Sequence, residues 1–120
     1  MNGSYSTTIT YEFEFHAAHQ LHWHAGPCRR LHGHSYRGEL TFGGKLDTNG
    51  VIVDFDAVAA FIENMVMPRL DHTYLNEVLD NPTAERIAAY IFELILDTEL
   101  PIEAVRLWET RTSSAIVRRV

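Results

Sequence analysis

Histidine is concentrated in one short stretch of this chain, together with its single cysteine. The 120 residues include seven histidines, and six of them lie between His16 and His34, on either side of Cys28. Apolar residues are interleaved with them, so the stretch does not resemble a purification tag. Imidazole nitrogens are common zinc ligands, and a thiolate is a zinc ligand, a nucleophile or a base. The pattern predicts a metal centre with acid–base chemistry beside it.

The spacing His-x-His occurs twice, and we predict that the second pair binds the metal. Residues two apart in a strand point to the same side, so His32 and His34 present two imidazoles to one ion. Gly33 between them lets the backbone approach a ligand closely. A catalytic zinc takes three protein ligands and leaves a fourth position open. His19 ends the first strand region and comes near the second if the strands pair, which predicts His19, His32 and His34 as ligands.

The other residues of the stretch leave alternatives open. His22 and His24 sit in a short loop that fixes their geometry less well, and His16 precedes the ligand set, so packing or hydrogen bonding is the simpler interpretation of all three. Cys28 has three interpretations: a fourth ligand that closes a structural zinc site, a nucleophile or base near positive charge, or a buried inert thiol.

Two features outside the stretch also suggest chemistry. Asp71 precedes His72, and a carboxylate beside an imidazole orients it and tunes its pKa for proton transfer, although such pairs are also common at surfaces. Glu109 shares its strand face with apolar residues, and a carboxylate there needs a partner. That partner is either Arg106 or Arg111 in a salt bridge, or the N–H groups of a ligand.

The elements that position these residues follow from apolar spacing. Alternation predicts strands, a period of 3.6 predicts helices, and Asp54 and Asn81-Pro82 are helix-start signals. The predicted order is strand, strand, helix, helix, strand, strand. It favours an α+β fold in one domain, residues 1–120, with a four-stranded antiparallel sheet and two helices on one face. The predicted strands are 8–15, 34–42, 105–110 and 115–120, and the helices follow Asp54 and Asn81.

Composition excludes several classes of function. The chain has 10 Lys+Arg against 16 Asp+Glu, a net charge of −6, which argues against a nucleic-acid partner. No apolar run reaches the length of a membrane span, and residues 1–8 lack the features of a signal peptide. One cysteine permits no internal disulfide, so we expect a reducing compartment, most simply the cytoplasm.

Six sequence blocks in order carry a resemblance to a known family. They are FHAAHQL (15–21), CRRLHGHSY (28–36), DF (54–55), LDHTYLN (70–76), NPTAE (81–85) and ET (109–110). Together they resemble the 6-pyruvoyl-tetrahydropterin synthase family, most closely its bacterial branch, the 6-carboxy-tetrahydropterin synthases of queuosine biosynthesis. The three residues between Cys28 and His32 are similar to the spacing in that branch, whereas another branch carries glutamate in place of this cysteine.

The resemblance implies a tunnelling fold (T-fold) and an oligomer. In the family, four strands and two helices per subunit form a trimeric barrel, two trimers stack into a hexamer, and the active sites lie between subunits. It also implies Zn²⁺ on His19, His32 and His34, the set that strand geometry favours.

The resemblance further implies the roles of the remaining site residues and a pterin substrate. Cys28 corresponds to the catalytic thiol, Asp71 and His72 to a proton-relay pair, and Glu109 to the carboxylate that anchors the pterin. The implied reaction converts 7,8-dihydroneopterin triphosphate to 6-carboxytetrahydropterin, acetaldehyde and triphosphate.

Three rival functions and one open assignment accompany this prediction. The same site could stop after triphosphate elimination and give a pyruvoyl-type product. A zinc hydrolase would use metal-bound hydroxide and would not depend on Cys28. A non-catalytic zinc-binding or pterin-binding module would need no turnover. A triphosphate needs cations in this acidic chain, and Arg29 and Arg30 are the candidates.

Overall fold

The computed structural model describes residues 4–120, so the first three residues of the N-terminal segment, where no signal peptide is predicted, lie outside it. Its strands are β1 (Thr8–His19), β2 (His32–Gly43), β3 (Thr73–Tyr74), β4 (Ile102–Thr110) and β5 (Ser113–Arg118). Its helices are α1 (Phe55–Phe61), α2 (Met67–Leu70) and α3 (Ala84–Leu96), with a π-helical turn (Ile62–Val66) between the first two and short 3₁₀ turns at Pro27–Arg29 and Leu75–Glu77.

The sheet has five strands in the order β3-β1-β2-β4-β5, rather than the four predicted. The four long strands are antiparallel to their neighbours, as expected. The additional strand, β3, runs parallel to β1 and pairs only with Ala17 and Ala18. Two residues are too few to produce a periodic apolar pattern, so a strand of this length has no sequence signal.

The first two strands are longer than predicted, and the added residues carry the site. β1 continues to His19 and β2 begins at His32, and the pairing between them is regular from Thr8 opposite Gly43 to His19 opposite His32. The predicted ends, at residues 15 and 34, followed the alternation of large apolar side chains. That signal stops at Phe15 because the inward positions beyond it hold alanine and histidine.

Helix boundaries follow local capping chemistry. Asp54 begins α1, and its carboxylate accepts a hydrogen bond from the backbone N–H of Asp56 at 2.8 Å. The π-helical turn precedes Pro68, which lacks an N–H and cannot continue a regular ladder. The predicted cap Asn81 is wrong: Thr83 caps α3 by accepting from the N–H of Arg86 at 3.2 Å.

The helices cover one face of the sheet, which confirms the α+β architecture. Inward side chains of β1, β2 and β4 pack with buried residues of the helices in one core. The opposite face, called the outer face below, carries polar and charged side chains at the alternate positions. Among residues 4–120, no helix is long and apolar enough to span a bilayer.

Candidate metal centre and adjoining cavity

β1 and β2 bring the three predicted metal-binding histidines together on the inner face. His19 lies opposite His32 in the strand pairing, and His34 follows on the same side of β2. One potential ligand atom from each residue lies within 4.8 Å of the other two. His19 is fully buried, and the other two are partly buried. The three side chains form one compact nitrogen ligand set, called the histidine cluster below.

Backbone carbonyls determine which nitrogen of His19 and His32 faces the centre of the cluster. The Nδ1–H of His19 donates to the carbonyl of Pro82 at 2.8 Å, and that of His32 donates to the carbonyl of Arg30 at 2.7 Å. A carbonyl only accepts, so each neutral ring keeps its proton on Nδ1 and its lone pair on Nε2. The two Nε2 atoms nevertheless lie 3.0 Å apart. Because two lone pairs at that distance repel, the arrangement fits a bound cation.

His34 supplies the third nitrogen. Its Nε2 is buried and has no hydrogen-bond partner within residues 4–120. Burial lowers the pKa of His34 most strongly; the charge of Glu109 opposes this effect, and His19 and His32 add to it. The ring is therefore neutral at neutral pH and offers an unused lone pair, which is the form that a metal ion requires.

Glu109 places a carboxylate beside the cluster at the end of β4. Its Oε1 lies 3.7 Å from Nε2 of His34, and its Oε2 lies 3.9 Å from Nε2 of His19. Neither Arg106 nor Arg111 forms an ion pair with it in the part of the chain that the structure describes. The salt-bridge alternative for Glu109 therefore fails, and its oxygens remain free to accept N–H groups of a ligand.

A cavity of about 300 Å³ opens next to Glu109. The loop after β1, the start of α3 and the hairpin between β4 and β5 form its walls. Leu21, Trp23, Thr83 and Ser114 are among the lining residues. The lining also includes a second carboxylate, that of Glu85. The combination of two carboxylates, one aromatic wall and a nearby nitrogen cluster suits a flat, polar, N–H-bearing ligand.

Tyr36 forms the apolar base beneath the cluster. It is fully buried, stacks on Phe15 with ring centroids 4.9 Å apart, and places its hydroxyl 3.3 Å from Nδ1 of His19. Burial, and then the charge of Glu109, raise the pKa of Tyr36 well above its ordinary value, so the phenol stays neutral. The sequence indicated only its inward position, because its contact with His19 depends on strand pairing.

Cys28 lies in the 3₁₀ turn Pro27–Arg29 and is partly buried. Its carbonyl accepts from the N–H of Leu21 at 2.9 Å, which ties the turn to the chain just beyond His19. Within residues 4–120, the group of side chains able to hold a metal comprises three histidines without Cys28. This geometry corresponds to three protein ligands rather than to a closed four-ligand site.

Asp71 and His72 lie at the edge of β1, away from the cluster. Asp71 Oδ2 is 2.9 Å from Nδ1 of His72, and Asp71 Oδ1 accepts from the N–H of His16 at 2.9 Å. His16 and His19 are three residues apart on a regular strand, so their side chains point to opposite faces. The His72 ring lies 6.1 Å from that of His16. Within one copy, the sheet therefore separates this pair from the metal site.

The Asp71–His72 pair is held in a defined state. The backbone N–H of His16, and then the hydrogen bond and charge of His72, lower the pKa of Asp71. The carboxylate is therefore ionised at neutral pH and holds the Nδ1–H of His72. His72 has φ of 58°, a left-handed conformation that is unfavourable for a residue with a side chain, and its N–H donates to the His16 carbonyl at 2.6 Å. Its side chain is 79% exposed.

The three histidines without a predicted metal role have local surroundings. His16 Nδ1 lies 2.9 Å from the Ser35 hydroxyl, and His24 Nδ1 accepts from the N–H of Gly26 at 2.8 Å. His22 is exposed in the loop. None of the three joins the cluster among the described residues, which agrees with the hydrogen-bonding interpretation of His16 and His24.

Sequence reasoning missed a clamp that fixes the chain directly after His19. The N–H of Gln20 donates to Oδ1 of Asn76 at 2.8 Å, and Nδ2 of Asn76 donates to the carbonyl of Gln20 at 2.9 Å. The Tyr74 hydroxyl donates to Oε1 of Gln20 at 2.7 Å. The Leu-Asn step at 75–76 was the available signal, but its partner lies 56 residues away.

Arg29 and Arg30 stay exposed and line a second cavity of about 700 Å³ together with Gln20 and Leu31. In the described part of the chain, neither guanidinium forms an ion pair with a carboxylate. Two free cations beside a recess next to the cysteine turn are therefore open to an anion.

Comparisons with known proteins identify the family of this chain. The sequence profile of 6-pyruvoyl tetrahydropterin synthase matches residues 8–120. A 6-carboxy-5,6,7,8-tetrahydropterin synthase of Synechocystis sp. is 44% identical over 112 residues, covering 87% of each chain. A dihydroneopterin monophosphate aldolase of Pyrococcus furiosus is 34% identical over 107 residues, covering 84% of this chain and 88% of that one.

Solved structures confirm the fold. The Caenorhabditis elegans 6-pyruvoyl tetrahydropterin synthase matches with a TM-score of 0.87 and 24% identity, over 100% of both chains. The predicted T-fold is therefore correct, with β3 as an addition to the four expected strands. On the profile match, the identities and the shared architecture, the chain belongs to the 6-pyruvoyl tetrahydropterin synthase family.

Proposed function

We propose that this protein is a zinc-dependent 6-carboxy-5,6,7,8-tetrahydropterin synthase. It converts 7,8-dihydroneopterin triphosphate and water to 6-carboxytetrahydropterin, acetaldehyde and triphosphate. The observation that carries the proposal is the convergence of three imidazole Nε2 atoms beside the unneutralised carboxylate of Glu109. The name of the relative that is 44% identical supports this choice of reaction.

His19, His32 and His34 would hold the zinc through Nε2. Bound zinc supplies a Lewis acid that polarises hydroxyl and carbonyl oxygens of the substrate side chain. The carbonyls of Pro82 and Arg30 keep two of the rings in the required tautomer. Burial lowers the pKa of His34, so the third ring is ready to bind without losing a proton.

Glu109 orients the substrate ring. A pterin presents two neighbouring N–H donors on one edge, the 2-amino group and ring nitrogen N3, and a carboxylate accepts both as a bidentate pair. Because both oxygens of Glu109 lie close to histidine nitrogens, a ring bound there places its side chain beside the metal site.

Cys28 and His72 move the protons. The Cys28 thiolate takes a proton from the substrate side chain, and His72, oriented by Asp71, transfers protons on the other side. The short contact between Asp71 and His72 supports the second role, because it fixes the tautomer and leaves the outer nitrogen of His72 free.

A second copy of the chain completes the site in this proposal, as a homo-oligomer that is a trimer or a hexamer of stacked trimers. The outer-face location of His72 supports it, since one copy cannot bring this ring to its own cluster. Both ends of the sheet also leave strand edges uncovered: β5 is terminal, and β1 pairs with β3 at only two residues. Unpaired edges of this kind readily pair with another chain, and successive pairing closes a barrel.

Arg29 and Arg30 bind the triphosphate in this scheme, because they are free cations beside the cysteine turn in a chain of net negative charge. We also propose that residues 1–120 form one domain, that the protein works in the cytoplasm, and that its product serves queuosine biosynthesis. The single free cysteine supports the compartment.

Product analysis of purified protein tests the function. With zinc and 7,8-dihydroneopterin triphosphate, we expect acetaldehyde and 6-carboxytetrahydropterin in equal amounts. A pyruvoyl-type product without acetaldehyde would replace the proposed reaction by simple triphosphate elimination.

An aldolase reaction is the second candidate, favoured by the name of the relative that is 34% identical. Cleavage of the substrate side chain between its two hydroxylated carbons would release a two-carbon aldehyde that still carries the phosphate chain, instead of acetaldehyde and free triphosphate. Derivatising the released aldehyde and identifying it by mass spectrometry separates the two reactions in one assay.

A further inference from the structure

Trp23 is a large aromatic side chain that remains 64% exposed beside the site. We propose that Trp23 is a substrate-binding residue whose indole stacks on the fused heterocycle held by Glu109. The inference rests on the proposed function, because that function supplies the flat heterocyclic ligand. It assigns a role to a residue of the loop between β1 and β2 for which the sequence analysis gave none.

The cavity of about 300 Å³ places Trp23 and Glu109 in the walls of one recess. A carboxylate recognises the N–H edge of a heterocycle but leaves its two faces uncovered. An aromatic wall in the same recess covers one of those faces. Stacking between an aromatic side chain and a nucleobase-like ring tolerates substitution on the ring, because it uses the π-face alone.

A hydrogen bond sets the orientation of the indole. Trp23 Nε1–H donates to Oδ1 of Asn81 at 2.8 Å. The next residue, Pro82, accepts the Nδ1–H of His19 through its carbonyl. The aromatic wall and a metal ligand are therefore anchored to adjacent residues, which keeps the indole in register with the cluster. A side chain that is already oriented loses little conformational entropy when a ligand binds.

The second tryptophan provides an internal comparison. Trp108 lies on the outer face, where the guanidinium carbons of Arg37 and Arg106 lie 3.9 and 4.3 Å from its ring centroid. Its ring already has cationic partners, whereas the Trp23 indole has an anchored N–H, the His24 ring as a neighbour at 5.6 Å between centroids, and a cavity beside it. Trp108 therefore serves as the matched control.

The experiment measures neopterin binding to the zinc-loaded protein by calorimetry, and in parallel the fluorescence of the bound pterin. Excitation above the absorption of tryptophan makes the pterin the only emitter, and contact with an indole quenches it. We expect Trp23→Leu to weaken binding roughly 5- to 150-fold, the range for losing one stacking partner, and to abolish the quenching. Trp23→Phe keeps a stacking ring without the anchor and should lose less affinity, and Trp108→Phe should change neither readout.

The outcomes separate this inference from the proposed function. Suppose that neopterin binds the wild type and that Glu109→Gln abolishes this binding. If Trp23→Leu then leaves affinity and quenching unchanged, the stacking role of Trp23 is wrong, but the proposed pterin site stands. If the wild type binds no neopterin, both the stacking role and the proposed pterin site are wrong. Zinc content and the urea-unfolding midpoint of each variant show whether the fold is intact, and Trp23→Phe carries the test if Trp23→Leu does not fold.

Discussion

The histidine cluster and the Asp71–His72 pair use the same side-chain chemistry in opposite settings. In the cluster, the buried ring of His19 is oriented by a carbonyl from another element, and its free nitrogen faces two more histidines. In the pair, His72 is 79% exposed, sits on strained backbone and is held by one neighbouring carboxylate. The contrast teaches that a single chain brings together three residues able to hold a cation, whereas the proposed proton-transfer group lies exposed on the other side of the sheet.

Replacing one of the three clustered histidines is the strongest test of the proposed metal site. We expect His32→Ala to lower zinc affinity by more than about 100-fold, beyond the loss typical of residues that only orient a ligand, and to abolish turnover. Competition with a chromogenic chelator measures the affinity. His22→Ala, in the exposed loop, is the control and should retain zinc. Retention of zinc by His32→Ala would contradict the predicted ligand set.

Mixing two inactive variants tests whether His72 acts at the metal site of another copy. Cys28→Ser and His72→Ala should each lower kcat by about 10²–10⁴-fold and keep their zinc, because neither residue belongs to the cluster. After dissociation and reassembly of a mixture, sites that combine Cys28 from one copy with His72 from another should regain activity. Each variant reassembled alone is the control.

The mixed assembly also decides between the interpretations of the cysteine. If the mixture remains inactive, both groups act within one copy and the comparison fails. If Cys28→Ser loses zinc and unfolds, the cysteine belongs to a structural site instead.

The Asn76 clamp fixes the chain directly after His19, so it supports the histidine cluster and not the Asp71–His72 pair. Asn76→Ala leaves the N–H and the carbonyl of Gln20 without their partners, so we expect the free energy of unfolding to fall by about 1–3 kcal/mol. Urea denaturation measures it, and zinc affinity should fall with it. Asn49→Ala, in an exposed turn, should change stability by less than about 0.5 kcal/mol. Equal stability of both variants would show that the clamp is dispensable.

The smallest expected effect concerns Asp71 and acid. Its pKa lies below the ordinary 3.8 in the folded protein, through the N–H of His16 and then His72. As the pH falls, Asp71 therefore becomes protonated in the unfolded chain before it does so in the folded protein. The stability that its ionised carboxylate contributes is complete above about pH 3.8 and is lost below it. Asp71→Asn should show a shallower loss of unfolding free energy below that pH. Parallel slopes for the two proteins would mean that the contact contributes nothing to stability.

Local sequence signals predicted much of the fold. Alternating apolar residues located the four long strands, and Asp54 marked the start of a helix, because strand faces and helix caps depend on neighbouring residues alone. The sequence predicts Asn81 as the cap of α3, but Thr83 is the cap. The Asn81 side chain instead accepts from Trp23, 58 residues away. The short β3 was missed because its only support is its contact with β1.

The sequence by itself determined the ligand types, their spacing on two strands and the family to which they point. Only the tertiary structure decided that His19 meets His32, that carbonyls set their tautomers, and that Glu109 lacks a neutralising arginine. It also decided that Asp71 and His72 face away from the cluster. The physical reason is sequence distance: residue types and periodicity are properties of a local segment, whereas the contact of Asp71 with His16 joins residues 55 apart and forms only when the sheet assembles.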